Sequence, residues 1–230
     1  MTTHLSKSTL KFLKDLAKNN DRDWFNEHKD RYRTAHEEVI ALADHLLDRF
    51  SEFDEIETPT GKKATMRIYR DTRFSKDKTP YKTNFGVGFK RATQLRRGGY
   101  YLHLTPGNSF VGGGFWGPES HDLKRIRQEL GANAEPLREI IADSEFKRLF
   151  GQLEGEQLKT APQGFARDHK NIDLLRYKQF LVKRDFTDKE VTAPGFADLV
   201  MEGFRGMQPF FAYMTEILTT DANGEPLYGE

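Results

Sequence analysis

Apolar residues change their spacing twice along this chain, and that double change limits the fold more than any other feature. In residues 8–19, Leu10, Leu13, Leu16 and Ala17 recur at helical spacing behind a capping residue, Ser8. Asn19-Asn20-Asp21 breaks this pattern, and a longer helix is expected from Asp23 to Phe50. Its stripe is Trp24, Phe25, His28, Tyr32, Ala35, Val39, Leu42, Ala43, Leu46 and Phe50, steps that leave one apolar and one charged face. Pro59-Thr60-Gly61 marks a turn, after which the period becomes that of a strand. Four runs alternate: 64–70 (ATMRIYR), 84–90 (NFGVGFK), 100–105 (YYLHLT) and 109–115 (SFVGGGF). Pro106-Gly107-Asn108 joins the last two as a hairpin. Helical spacing returns from Glu119 to Leu130, with Pro118 before it and Gly131 in the C′ position. Two shorter helices follow, 134–141 and 144–150, then a polar loop over 151–173. Residues 177–182 (YKQFLV) read as a fifth strand, and 195–218 as a last helix bent by Pro209, with the tail fraying from Thr219.

These blocks predict an α+β fold, an antiparallel sheet of about four or five strands packed against flanking helices. The expected organisation is a single domain over residues 1–230: an N-terminal helical pair (8–50), a strand-rich centre (62–116) and a helical C-terminal part (119–218). Composition narrows the class. Eighteen Phe, eight Tyr and two Trp are too much aromatic mass to leave in water, so disorder is excluded as the main state. No run of 18 apolar residues occurs, so no membrane span or membrane partner is expected. No apolar h-region follows Met1, so a secretory leader is not expected either. The absence of cysteine removes disulfides, thiol nucleophiles and zinc–thiolate sites, and a cytoplasmic location is the default expectation.

Charge is concentrated. The chain sums to +1, yet residues 62–97 hold twelve Lys or Arg against Asp71 and Asp77, a net +10. A local field of one sign attracts anions regardless of the total. The dense part is Arg67-Ile68-Tyr69-Arg70-Asp71-Thr72-Arg73-Phe74, then Lys76-Asp77-Lys78 and Tyr81-Lys82-Thr83-Asn84. On a continuous strand Arg67 and Arg73 share a face and Arg70 opposes them; a turn at Asp71-Thr72 lets all three converge. Guanidiniums cannot crowd without anions between them, because none of them deprotonates. The anions are internal, Asp71 and Asp77 or acids from distant helices, or they are external, a phosphate or carboxylate held in bidentate geometry.

The pattern R-x-x-R-D-x-R-F-x-x-D-K-x-x-Y over residues 67–81 resembles the signature of DUF2461, a bacterial family of uncharacterised proteins. Asp23-Trp24-Phe25, Gly112-Gly113-Gly114 and 158–165 (LKTAPQGF) add to the resemblance, which extends over the whole chain. It implies no reaction, so function is read from the residues. The leading expectation is a groove for a small anionic, phosphorylated ligand, with hydrolase or transferase chemistry left open. Arg67, Arg70 and Arg73 would clamp it, Lys78 and Lys82 would add charge, and Tyr81 and Asn84 would orient it. If chemistry follows, Asp71, Asp77 and His103 are the acid–base candidates; beside several cations a carboxylate stays ionised, which favours a base. The alternative is a nucleic-acid-binding or protein-interaction module in which the Arg/Asp motif is structural. Arg176, Lys178, Lys183 and Arg184 with Tyr69, Tyr81, Tyr100, Tyr101 and Tyr177 would then form a stacking surface, less favoured because no RNP-like pattern occurs.

Other features carry less. His28 and His36 are too far apart on a helix for one metal, no H-x-x-x-H or HExxH occurs, and neither a metal nor a cofactor is expected. The glycines before Trp116 feed a helix but match no phosphate loop; close packing under Trp116 is the preferred reading.

Overall fold

The computed structural model describes residues 2–93, 96–221 and 225–227. Its helices are α1 (Lys7–Lys18), α2 (Arg22–Glu27), α3 (Lys29–Phe50), α4 (Gly61–Ala64), α5 (Ser120–Ala132), α6 (Glu135–Ala142), α7 (Ser144–Phe150), α8 (Ile172–Leu175), α9 (Asp188–Val191), α10 (Phe196–Gly206) and α11 (Gln208–Thr219). Strands β1 (Phe85–Lys90), β2 (Gly99–Leu104), β3 (Ser109–Phe115) and β4 (Phe180–Phe186) form one open antiparallel sheet in the order β1-β2-β3-β4. The fold is α+β, as the blocks of periodicity imply.

The chain resolves into two compact units. The first comprises Met1–Lys90, Tyr101–Val111 and Asp185–Glu202. Here α3 packs on α1, α4 and β1, burying Phe12, Leu13 and Leu16 with Val39, Leu42, Leu46, Phe85, Val87 and Phe89. Ser6, not Ser8, caps α1, accepting from the Thr9 amide at 3.3 Å. The second unit comprises Arg91–Tyr100, Gly112–Arg184 and Gly203–Glu230. In it α11 packs on α5 and α6, α6 on α7 and α5 on α8, around Ile126, Leu130, Leu137, Phe210, Phe211 and Met214.

Several elements differ from the sequence reading. The expected helix 23–50 is two helices. His28 interrupts it: its ring stacks on Trp24 at 4.1 Å, and its Nδ1 lies 2.8 Å from the Trp24 carbonyl. Gly131 lies inside α5 rather than at C′, and it lacks a side chain where an added Cβ would lie 2.5 Å from the Phe165 ring. The last helix breaks at Met207 rather than bending, and Pro209 takes an opening position of α11, where its missing N–H costs nothing. The fifth strand exists but begins at Phe180. Part of the tail is outside the described residues; Thr220 pairs with Pro226.

The largest correction concerns 64–70, which is not a strand. Ala64 ends α4, which Thr60 caps through the Lys63 amide. The backbone then makes only isolated bridges, Thr65 with Val87 and Tyr69 with Tyr81. The pairing partner changes midway: Met66 donates to the Gly86 carbonyl at 2.8 Å, whereas Ile68 accepts from Lys82 at 2.7 Å. Arg70 donates to Pro80 at 2.9 Å, and Pro80 has no N–H to return. Alternation fails with it, since Thr65 and Ile68 are buried while Met66, Arg67 and Tyr69 are exposed.

Candidate functional site

The motif forms a loop over residues 71–79, closed at its base by the pairing of 66–70 with 80–86. The base sits on the core of the first unit. Tyr81 is buried and stacks on Phe25 with centroids 3.9 Å apart. Its backbone is clamped by Asn20, whose Oδ1 accepts from the Tyr81 amide at 3.1 Å and whose Nδ2 donates to its carbonyl at 2.9 Å. The sequence reading placed Tyr81 against a ligand; the structure places its ring in the core.

Each acid of the motif holds one arginine. Arg70 Nη1 donates to Asp77 Oδ2 at 2.5 Å, to the Thr79 carbonyl at 3.3 Å and to the Thr79 hydroxyl. Asp77 Oδ1 accepts from the Thr79 amide at 2.9 Å and its hydroxyl at 2.8 Å. Asp71 takes a two-pronged bond from Arg73, Nε at 3.0 Å and Nη2 at 2.6 Å, plus the Arg73 amide at 3.2 Å. Lys78 Nζ reaches across to the Thr72 carbonyl at 2.8 Å. The three arginines therefore do not converge on one open point: Arg70 and Arg73 brace the loop. Arg67 is exposed and its charge acts on Asp71. Among the described residues no ion pair takes up Arg67, Lys76 or Lys82.

These bonds set the acids' chemistry. The Thr79 amide, then the Arg70 guanidinium, then the Thr79 hydroxyl hold the Asp77 carboxyl down to about 2. The Arg73 side chain, then its amide, lowers Asp71. Both carboxyls are thus held in the ionised form by their partners. The linkage has a definite sign. Asp77's folded pKa lies below its ordinary value of 3.8, so its contribution is complete above about pH 4 and is lost as the pH falls through about 2. Between those limits, the difference in melting temperature between the wild-type protein and Asp77→Asn is expected to shrink. A difference that stays constant on acidification would show that the carboxylate does not close the loop.

Asn84, in the 80–86 stretch, lies against His103 of β2. His103 stacks on Phe110 at 4.8 Å, with Nδ1 3.1 Å from the Tyr101 hydroxyl and 3.4 Å from Asn84 Nδ2. Of the two glycines of β1, Gly86 admits a close neighbour and Gly88 makes only an ordinary contact, with Met66. An added Cβ at Gly86 would lie 2.8 Å from the Tyr101 hydroxyl and 3.1 Å from Met66 Sδ, so these side chains cover the glycine floor. In the second unit the run 112–114 packs under α11 and β4 rather than under Trp116, which is 76% exposed. There an added Cβ at Gly113 would meet Met207 Sδ at 2.5 Å. Tyr81 and Tyr100 are both buried, which removes them from any stacking surface.

Two features of the loop escaped the sequence reading. Thr79 is a hydrogen-bonding partner of both Arg70 and Asp77, and its signal was the D-x-T spacing of an Asx turn. Phe74 stands at the tip, 95% exposed, where an aromatic within the motif reads most simply as core.

No curated protein and no solved structure matches the chain. No helix among the described residues is long and apolar enough to cross a membrane. The family model for the conserved hypothetical proteins DUF2461 matches residues 8–213, most of the chain, and the protein belongs to that family.

Proposed function

We propose that the protein binds a phosphate-bearing anion on the face of the 71–79 loop, with Arg67, Lys76, Lys78 and Lys82 supplying the attraction. One observation carries this reading: both acids of the motif are already engaged by Arg70 and Arg73, and among the described residues no ion pair takes up Arg67 and Lys76, which are exposed, or Lys82, which is half-buried. Arg70 and Arg73 act as braces, and their pairs keep the loop in one shape before a ligand arrives, which lowers the ordering cost of binding. Binding is preferred to hydrolysis or group transfer because the oxygens of Asp71 and Asp77 are already occupied by Arg73, Arg70 and Thr79. A cytoplasmic setting, rich in phosphorylated compounds, belongs to the same reading.

The test is a thermal-shift panel of inorganic phosphate, pyrophosphate, sugar phosphates, nucleotides and dicarboxylates against the wild-type protein and Arg67→Glu/Lys82→Glu. Ligand binding to the native state raises the midpoint by mass action. Phosphate-bearing compounds are expected to raise it in the wild type and to lose about ten-fold or more in affinity in the variant, since two attractive charges become repulsive. Equal shifts in both proteins would place the anion elsewhere, and a flat panel would contradict the reading.

A further inference from the structure

We propose that the ligand of this loop is single-stranded nucleic acid, with Phe74 as the surface on which a base stacks; the proposal rests on the anion-binding reading above. The loop carries one apolar side chain, and it is the most exposed large hydrophobic residue described. Phe74 is not presented on a slack segment. The Arg70–Asp77–Thr79 cluster closes the base, Lys78 bridges to Thr72, Ser75 donates to the Thr72 carbonyl at 3.3 Å, and Arg73 is fixed on Asp71. The Arg73 guanidinium lies 5.8 Å from the Phe74 ring centroid. A second ring, Tyr69, is 49% exposed at the loop's base and anchored edge-on against Phe25 at 6.1 Å.

An aromatic face among cations is the combination that binds single strands: bases stack on rings and on guanidinium planes while Lys and Arg follow the phosphates. A ligand made only of phosphate and sugar leaves Phe74 without a partner. An anionic lipid surface fits less well. Inserting the tip would carry the carboxylates of Asp71 and Asp77 toward like-charged headgroups, with only one apolar side chain to enter the bilayer.

The probe is a fluorescein-labelled single-stranded oligonucleotide of about 15 nucleotides, followed by anisotropy, with long-chain inorganic polyphosphate as a base-free competitor. Phe74→Ala touches no core residue and should fold normally. It is expected to weaken oligonucleotide binding by about ten-fold and leave the polyphosphate affinity unchanged, whereas Phe74→Trp should bind like the wild type. Equal oligonucleotide affinity in Phe74→Ala and the wild type, or no preference for the oligonucleotide over polyphosphate, would overturn the stacking proposal and leave anion binding standing. Failure of both probes to bind at low salt would remove the anion reading itself. Phe74-dependent binding to phosphatidylserine vesicles without oligonucleotide binding would overturn the proposal in favour of a membrane surface.

Discussion

Phe25→Ala should lower the unfolding free energy by about 3–5 kcal/mol, a drop in melting temperature on the order of 10 °C. Phe25 is 1% exposed and is surrounded by rings: Tyr81 at 3.9 Å, Tyr32 at 5.1 Å and Tyr69 at 6.1 Å. Truncating it removes the transfer energy of the ring and leaves a void that these flat, anchored neighbours fill poorly. The loss also removes the platform under Tyr81, from which the 71–79 loop departs. The same substitution at Phe74, whose ring is 95% exposed, should change stability by less than about 0.5 kcal/mol. Urea unfolding of both variants tests the contrast. A Phe25→Ala cost below about 1 kcal/mol would mean that the loop does not rest on a packed base.

Gly114→Ala is expected to cost about 3 kcal/mol or more, through two effects that act together. The residue has φ +130, a conformation that L side chains rarely adopt. An added Cβ would also lie 2.2 Å from the Phe180 carbonyl oxygen and 3.0 Å from Leu181 Cα, both backbone atoms of β4. Rigid backbone has no rotamer into which it can retreat, so β3 and β4 would have to separate. Gly88→Ala is the control, because its Cβ would meet Met66 Cε at an ordinary 3.5 Å. Calorimetry on the two variants should show a large loss for Gly114 and a small one for Gly88. Similar losses would mean that close approach of β4 does not fix this position.

Much of the fold was legible because its signals were local. α1, α6, α7 and the β2–β3 hairpin were readable from helical spacing, from alternation and from Pro106-Gly107-Asn108. The misread elements depend on partners distant in sequence or on one side chain overriding a pattern. The 64–70 run alternates like a strand, but it pairs with two different stretches and meets Pro80, which the run itself does not reveal. The long N-terminal helix has an unbroken stripe, and only the His28 ring against the Trp24 carbonyl interrupts it. For the candidate site, the sequence identified the charges and both internal anions. It did not identify which arginine each anion holds, because that depends on the turn at 71–79. It also left Phe74 unremarked, since exposure is a property of the loop's projection and not of the residue type.

In the proposed function, the cations that no ion pair takes up bind phosphate while Arg70 and Arg73 brace the loop. The salt dependence of oligonucleotide binding tests it most directly, measured for the wild type and for Arg67→Gln, Lys76→Gln and Lys82→Gln. Each phosphate contact releases a counterion, so each substitution should reduce the slope of log K against log salt by about 0.7–1 and weaken binding alike across sequences. Slopes identical to that of the wild type in all three variants would mean that Arg67, Lys76 and Lys82 do not contact phosphate.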